Sequence, residues 1–395
     1  MQRFFPFSIY HLPRADLEKP PARRAYLDWM RGLAVLIMIE AHVIDSWTGG
    51  ADRDSVGFRW SATLGGFGAP LFLFLAGVAA VLSAGAKSRR SGSASDASRA
   101  VARRGAQIFG LAFLFRIQAW ILGRGPAWTL LRVDILNIMG PSIVAAAALW
   151  RSSTTSRSRY VAFAVATVAV PLVTPIVRGL DVLAVLPDPL EAYVRPTSSL
   201  NNFMLFPWCG FVFAGGLLGL LIDANRSRAA EVRLASRLAV GGLMISASSF
   251  GLSFLPGPYP SSSFWTTSPC FFFLRAGLIT ASLGLVSLGY LRRRAVGSWN
   301  PIEQLGRTSL FIYWIHVEMV YGLVSRSLHQ SLTLGQAWLA WAIFSGFMLA
   351  CSIGWDRFVA WWQMRQPGSG HFDTTVYSDR IAASGSTPAA RRAGR

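Results

Sequence analysis

The chain has 395 residues, of which 52% are hydrophobic and 14% charged, with 26 Phe, 15 Trp and a formal net charge of +19. This balance excludes an ordinary soluble domain and points to a lipid bilayer as the chain's solvent. It also argues against nucleic acid as a partner, because the Lys and Arg residues punctuate apolar runs, where they act as topology signals.

Residues 1–25 carry Arg3, Arg14, Arg23 and Arg24 around Pro20 and Pro21, without the apolar core of a cleavable signal peptide. They are expected to form a cytoplasmic segment, leaving the first spanning helix to address the chain to the membrane. A helix needs about 20 mostly apolar residues to cross the hydrocarbon. Ten stretches qualify, near 30–48, 66–86, 105–122, 135–150, 160–177, 203–222, 238–255, 270–291, 308–325 and 336–356. The predicted fold is therefore all-α, a polytopic membrane bundle of about ten transmembrane helices spanning residues 26–360. Residues 88–99 (SRRSGSASDASR) read as a flexible basic loop, and 361–395 as a disordered cytoplasmic tail. The even-numbered loops hold 17 Lys and Arg against seven in the odd ones, so the positive-inside rule puts both termini in the cytoplasm. The expected location is a bacterial inner membrane. Cys209, Cys270 and Cys351 are far apart and lack CxxC spacing, so neither a disulfide framework nor a metal is expected. Gly77, Gly110, Gly140, Gly210 and Gly215 lie within spans and read as helix-packing contacts.

An ionisable group inside a span costs about 2.5–3.5 kcal/mol at mid-bilayer on insertion scales, so each needs a partner, a cavity or a purpose. Glu40, His42 and Asp45 fall in the outer half of the first span, with Asp45 three residues beyond His42 and so on the same helix face. The third span carries Arg116 and Gln118 at similar depth, the fourth begins with Asp134 and Asn137, the sixth follows Asn201 and Asn202, and the ninth holds His316 and Glu318. Plainer roles compete with functional ones. Asp134, Asn201 and Asn202 suit helix N-caps, Arg31 and Asp28 suit a surface pair, and His316 suits a hydrogen bond to a neighbouring helix. Arg116 serves equally as counter-ion to the acids or as an anion binder. The expected catalytic residues are His42, Asp45 and Glu40; the expected substrate-binding residues are Arg116, Asp134, Asn137, Asn202 and His316. Nucleotide-binding, metalloprotease and hydrolase motifs are absent from the sequence.

The run Tyr26-Leu27-Asp28-Trp29-Met30-Arg31-Gly32-Leu33-Ala34-Val35, followed by Met38 and by His42-Val43-Ile44-Asp45, resembles the opening of the heparan-α-glucosaminide N-acetyltransferase catalytic-domain family. Four further segments are similar in order: APLFLFLAG (69–77), VDILNIMG (133–140), FPWCGFVFAGGLLG (206–219) and LGRTSLFIYWIHV (305–317). The resemblance implies a multi-helix enzyme that takes acetyl from cytoplasmic acetyl-CoA to a sugar on the far side, using a membrane-embedded histidine. In the family's lysosomal branch that histidine precedes the second span. Residues 57–68 here contain none, and the role falls to His42.

The expected function is an acyltransferase moving an acetyl or other short acyl group from acyl-CoA to an amine or hydroxyl of an envelope saccharide or glycolipid. His42 would be general base or transient acyl carrier, with Asp45 or Glu40 orienting it. The alternative is a proton-coupled transporter or lipid-carrier flippase that uses the same residues as a relay.

Overall fold

The computed structural model describes residues 24–123, 126–197, 200–259, 262–292 and 299–365. The expected N-terminal segment and tail lie outside these residues apart from their inner edges. In chain order the helices are α1 (Ala25–Trp47), α2 (Val56–Gly65), α3 (Gly68–Ser91), α4 (Ala94–Gly123), α5 (Ile135–Ser152), α6 (Ser156–Arg178) and α7 (Asp188–Glu191). They continue with α8 (Leu205–Ala224), α9 (Arg228–Leu252), α10 (Pro269–Arg292), α11 (Pro301–Arg307), α12 (Ser309–Tyr321) and α13 (Leu334–Met364). No strand occurs among the described residues; two isolated bridges, Thr48 to Leu332 and Val133 to Asn201, tie loops together.

Each of the ten expected spans coincides with a helix, and the fold is an all-α membrane bundle. Seven helices among the described residues are long and apolar enough to cross a bilayer by length and composition, the short α2 being counted together with α3. Of the other three expected spans, α1 carries Arg31, Glu40 and Asp45, α9 is rich in Arg and Ser, and α12 has only 13 residues. The charges that weaken the apolar signal of α1 are the ones that make it informative.

α1 lies inside the bundle, packed against α2, α3, α10, α11, α12 and α13. Its Ala34, Val35, Ile39 and Val43 are fully buried. Between helices in lipid no water is left to expel, so close backbone approach supplies much of the attraction. At the α3–α8 contact, a Cβ on Gly77 would collide with the Val212 carbonyl, and one on Gly215 with the Phe74 carbonyl. Gly110 departs from the expected packing role: nothing lies within 4 Å of where its Cβ would be. The opposite surfaces are apolar and uncovered, as at Leu243 and Met244 on α9 and Leu339 and Ile343 on α13, and suit contact with lipid.

The flexible loop expected at 88–99 is also corrected. α3 runs to Ser91 and α4 begins at Ala94, leaving only Gly92 and Ser93 between them. Gly92 takes a left-handed φ of 67°, which ends α3 without a Cβ penalty. The Ser93 hydroxyl then accepts the Asp96 N–H at 3.1 Å and starts α4. Polar composition masked a tight helix-to-helix turn whose signals were in the sequence.

Candidate active site

His42 sits on α1 and His316 on α12, and their rings face each other. His42 Nδ1 lies 2.9 Å from His316 Nε2, with ring centroids 5.1 Å apart and planes within 6°. His316 is fully buried, and its Nδ1 lies 2.8 Å from the carbonyl oxygen of Ile312, one turn back. A carbonyl only accepts, so His316 Nδ1 carries a proton and, in the neutral ring, Nε2 is the lone-pair nitrogen. That nitrogen accepts from His42 Nδ1–H. The chain of assignments leaves the lone pair of His42 on Nε2, the geometry of a poised base.

Neither Glu40 nor Asp45, the two acids that flank His42 on α1, is the ring's hydrogen-bond partner. Asp45 accepts from the Tyr321 hydroxyl at 2.9 Å, lies 3.8 Å from Arg53 and has a side chain 60% exposed. Tyr321 in turn packs edge-on against His42, with centroids 5.4 Å apart. Glu40 is buried on another side of α1, and neither carboxylate oxygen has a hydrogen-bond partner.

Arg116 donates to Asp134 at 2.6 Å, and both side chains are largely buried. Asp134 also caps α5: its side chain accepts the Ile135 N–H at 2.7 Å, while Asn137 Oδ1 accepts the Asp134 N–H at 3.0 Å. The capping reading of Asp134 thus holds beside its ion pair. Asn137 also donates to the Tyr193 hydroxyl at 3.3 Å. Asn202 accepts from Arg132 at 2.8 Å.

A cavity of about 380 Å³ opens beside His42. Of the eight expected site residues, His42 and Asp134 line it. Its wall also includes Arg31 and Arg104 toward the basic end of the bundle, and Tyr313, Trp208 and Arg275 toward the His42 end. Along α1, Arg31 and His42 are separated by about 16 Å, given a rise of ~1.5 Å per residue. The cavity lining therefore extends over about 16 Å of the length of α1. Among the described residues, no group of three or more His, Cys, Asp or Glu could hold a metal ion.

Sequence reasoning left out Arg275 and Tyr313. Arg275 gave the same signal as Arg116, an ionisable group in an apolar span. Tyr313 gave none, since its place beside Asp134 depends on tertiary packing.

The family model for the catalytic region of heparan-alpha-glucosaminide N-acetyltransferase matches residues 23–254. The chain belongs to this family. No curated protein matches it. Membership in the heparan-alpha-glucosaminide N-acetyltransferase catalytic family makes this a multi-pass membrane protein of an acetyltransferase family. The matched region contains His42, Arg116 and Asp134, whereas His316 and Arg275 lie beyond it.

Proposed function

We propose that this family member transfers an acetyl or similar short acyl group from cytoplasmic acyl-CoA to an amine or hydroxyl of an envelope saccharide or glycolipid at the outer face of the inner membrane. The observation that supports this reading is that one cavity is bounded by Arg31 and Arg104 at one level and by His42 and Asp134 at the other. CoA phosphates suit guanidinium groups, and the apolar wall between the two levels suits the narrow arm that carries the thioester.

His42 acts as general base in this scheme. As the acceptor nitrogen or oxygen attacks the thioester carbonyl carbon, its proton passes to His42 Nε2. The carbon–sulfur bond breaks, and the proton moves on to the departing thiolate to give free CoA. His316 holds the ring in place throughout, and Asp134 and Asp45 are the carboxylates nearest the positive charge that forms on it.

Two measurements test the reading. In detergent, acetyl-CoA at 100 times its dissociation constant should stabilise the protein by about 2.7 kcal/mol, seen as a concentration-dependent rise in melting temperature. A flat response up to millimolar acetyl-CoA would remove CoA as donor. For orientation, a cysteine introduced by Ser93→Cys in the turn between α3 and α4 should resist impermeant thiol reagents in intact cells and react after lysis. Labelling from outside would invert the proposed topology.

A further inference from the structure

A second cavity, of about 150 Å³, lies next to the first, and Trp208 and Arg275 line both. Its wall also includes Arg178, Trp265, Ser268 and Phe271. Arg275 is six residues into α10, about 9 Å along the helix axis from Pro269. Its guanidinium rests on the Phe271 ring at 4.1 Å and near the Trp208 ring at 5.7 Å, and it has neither a hydrogen bond nor a carboxylate partner among the described residues. Arg178, at the end of α6, donates to the carbonyls of Phe206 and Thr266 and likewise pairs with no acid among the described residues.

A cation held within a span demands compensation. Arg116 has Asp134, but Arg275 within α10 and Arg178 at the end of α6 have only rings and carbonyls, with further N–H donors unused. A guanidinium fork fits a phosphate or carboxylate with two parallel hydrogen bonds. Trp265, 62% exposed, and Trp208 offer flat faces against which the apolar side of a sugar ring can lie. The space is too small for a drug-sized molecule but takes one acidic group with the ring that bears it at the mouth.

From this we infer that the smaller cavity binds an acidic group, phosphate or carboxylate, on the acceptor saccharide, through Arg178 and Arg275. The inference rests on the acyl-transfer reading and narrows it: the acceptor is an anionic sugar. Because Trp208 and Arg275 belong to both cavities, a sugar anchored in the smaller one stands at the wall of the larger, on the side of the bundle that holds His42.

Equilibrium binding of glucosamine and glucosamine 6-phosphate to the full chain in phosphatidylcholine nanodiscs tests this, with no acyl-CoA present, so that the outcome does not depend on whether the chain is active in transfer. The phosphorylated sugar should bind at least ~10-fold more tightly, and both R178Q and R275Q should erase that preference. Should R275Q not yield folded protein, R178Q carries the charge test. Trp265→Ala, at the rim, should weaken both sugars to a similar extent. Equal affinity for the two sugars, or a preference that survives R178Q, overturns the proposal. So does a preference that vanishes when phosphatidylglycerol replaces phosphatidylcholine, because the site would then belong to an anionic lipid headgroup.

Discussion

Replacing His42 with Ala should lower acetyl transfer by ~10²–10⁴-fold, the usual contribution of a positioned general base. Acetyl-CoA should still raise the melting temperature, since Arg31 and Arg104 at the far level of the cavity are untouched. His316→Ala should also lower turnover, because His42 Nδ1–H loses its acceptor at 2.9 Å and the ring is free to rotate or to place its proton on Nε2. Residues that act as a unit are strongly non-additive. The double variant should therefore be no slower than His42→Ala alone. Near-normal turnover in His42→Ala would mean that the base has been misassigned. Independent, multiplying losses in the double variant would separate His316 from the base.

The second large effect is on stability. Arg116 and Asp134 form an ion pair at 2.6 Å with side chains only 13% and 15% exposed. Removing one partner from a buried pair leaves the other charge uncompensated, at a cost of ~3–5 kcal/mol. Asp134→Ala should fall in that range, since it also deletes the cap of α5. The double variant Arg116→Leu with Asp134→Ala should recover part of the loss, because it leaves no orphaned guanidinium. Thermal melting followed by helicity in detergent gives the comparison. An Asp134→Ala protein that melts within a degree of the parent would show that the pair contributes nothing to stability.

All ten expected stretches were legible as helices, and the seven long and apolar enough to cross a bilayer among the described residues were the clearest, because crossing imposes a length and an apolarity that few other structures share. The irregular pieces between them were less so. The ten-residue α2 and the four-residue α7 lie in loops whose composition carries no membrane signal, and the turn at Gly92–Ser93 was hidden by its polar neighbours. The candidate site was legible at the level of single residues but not of pairs. Helical spacing names neighbours at three and four residues, and so suggested Asp45 beside His42. The partner actually in contact, His316, is 274 residues away in sequence, a separation that no local pattern reports. Arg275 was open to the same reasoning that singled out Arg116, whereas the second role of Asp134, as ion-pair partner of a residue 18 positions earlier, needed the packed bundle.

That 274-residue separation has a consequence for the birth of the protein. At ~5–20 residues per second, synthesis from His42 to His316 takes on the order of 15–55 s. During that interval α1 is already made while α12 is not, and the His42 ring has nothing to fix which nitrogen is bare. If the proposed base is right, a half-inserted chain lacks the assembled histidine pair, and transfer activity should arrive only once α12 has been made. Ribosome-bound chains stopped before Ile312 should be inert whatever their length.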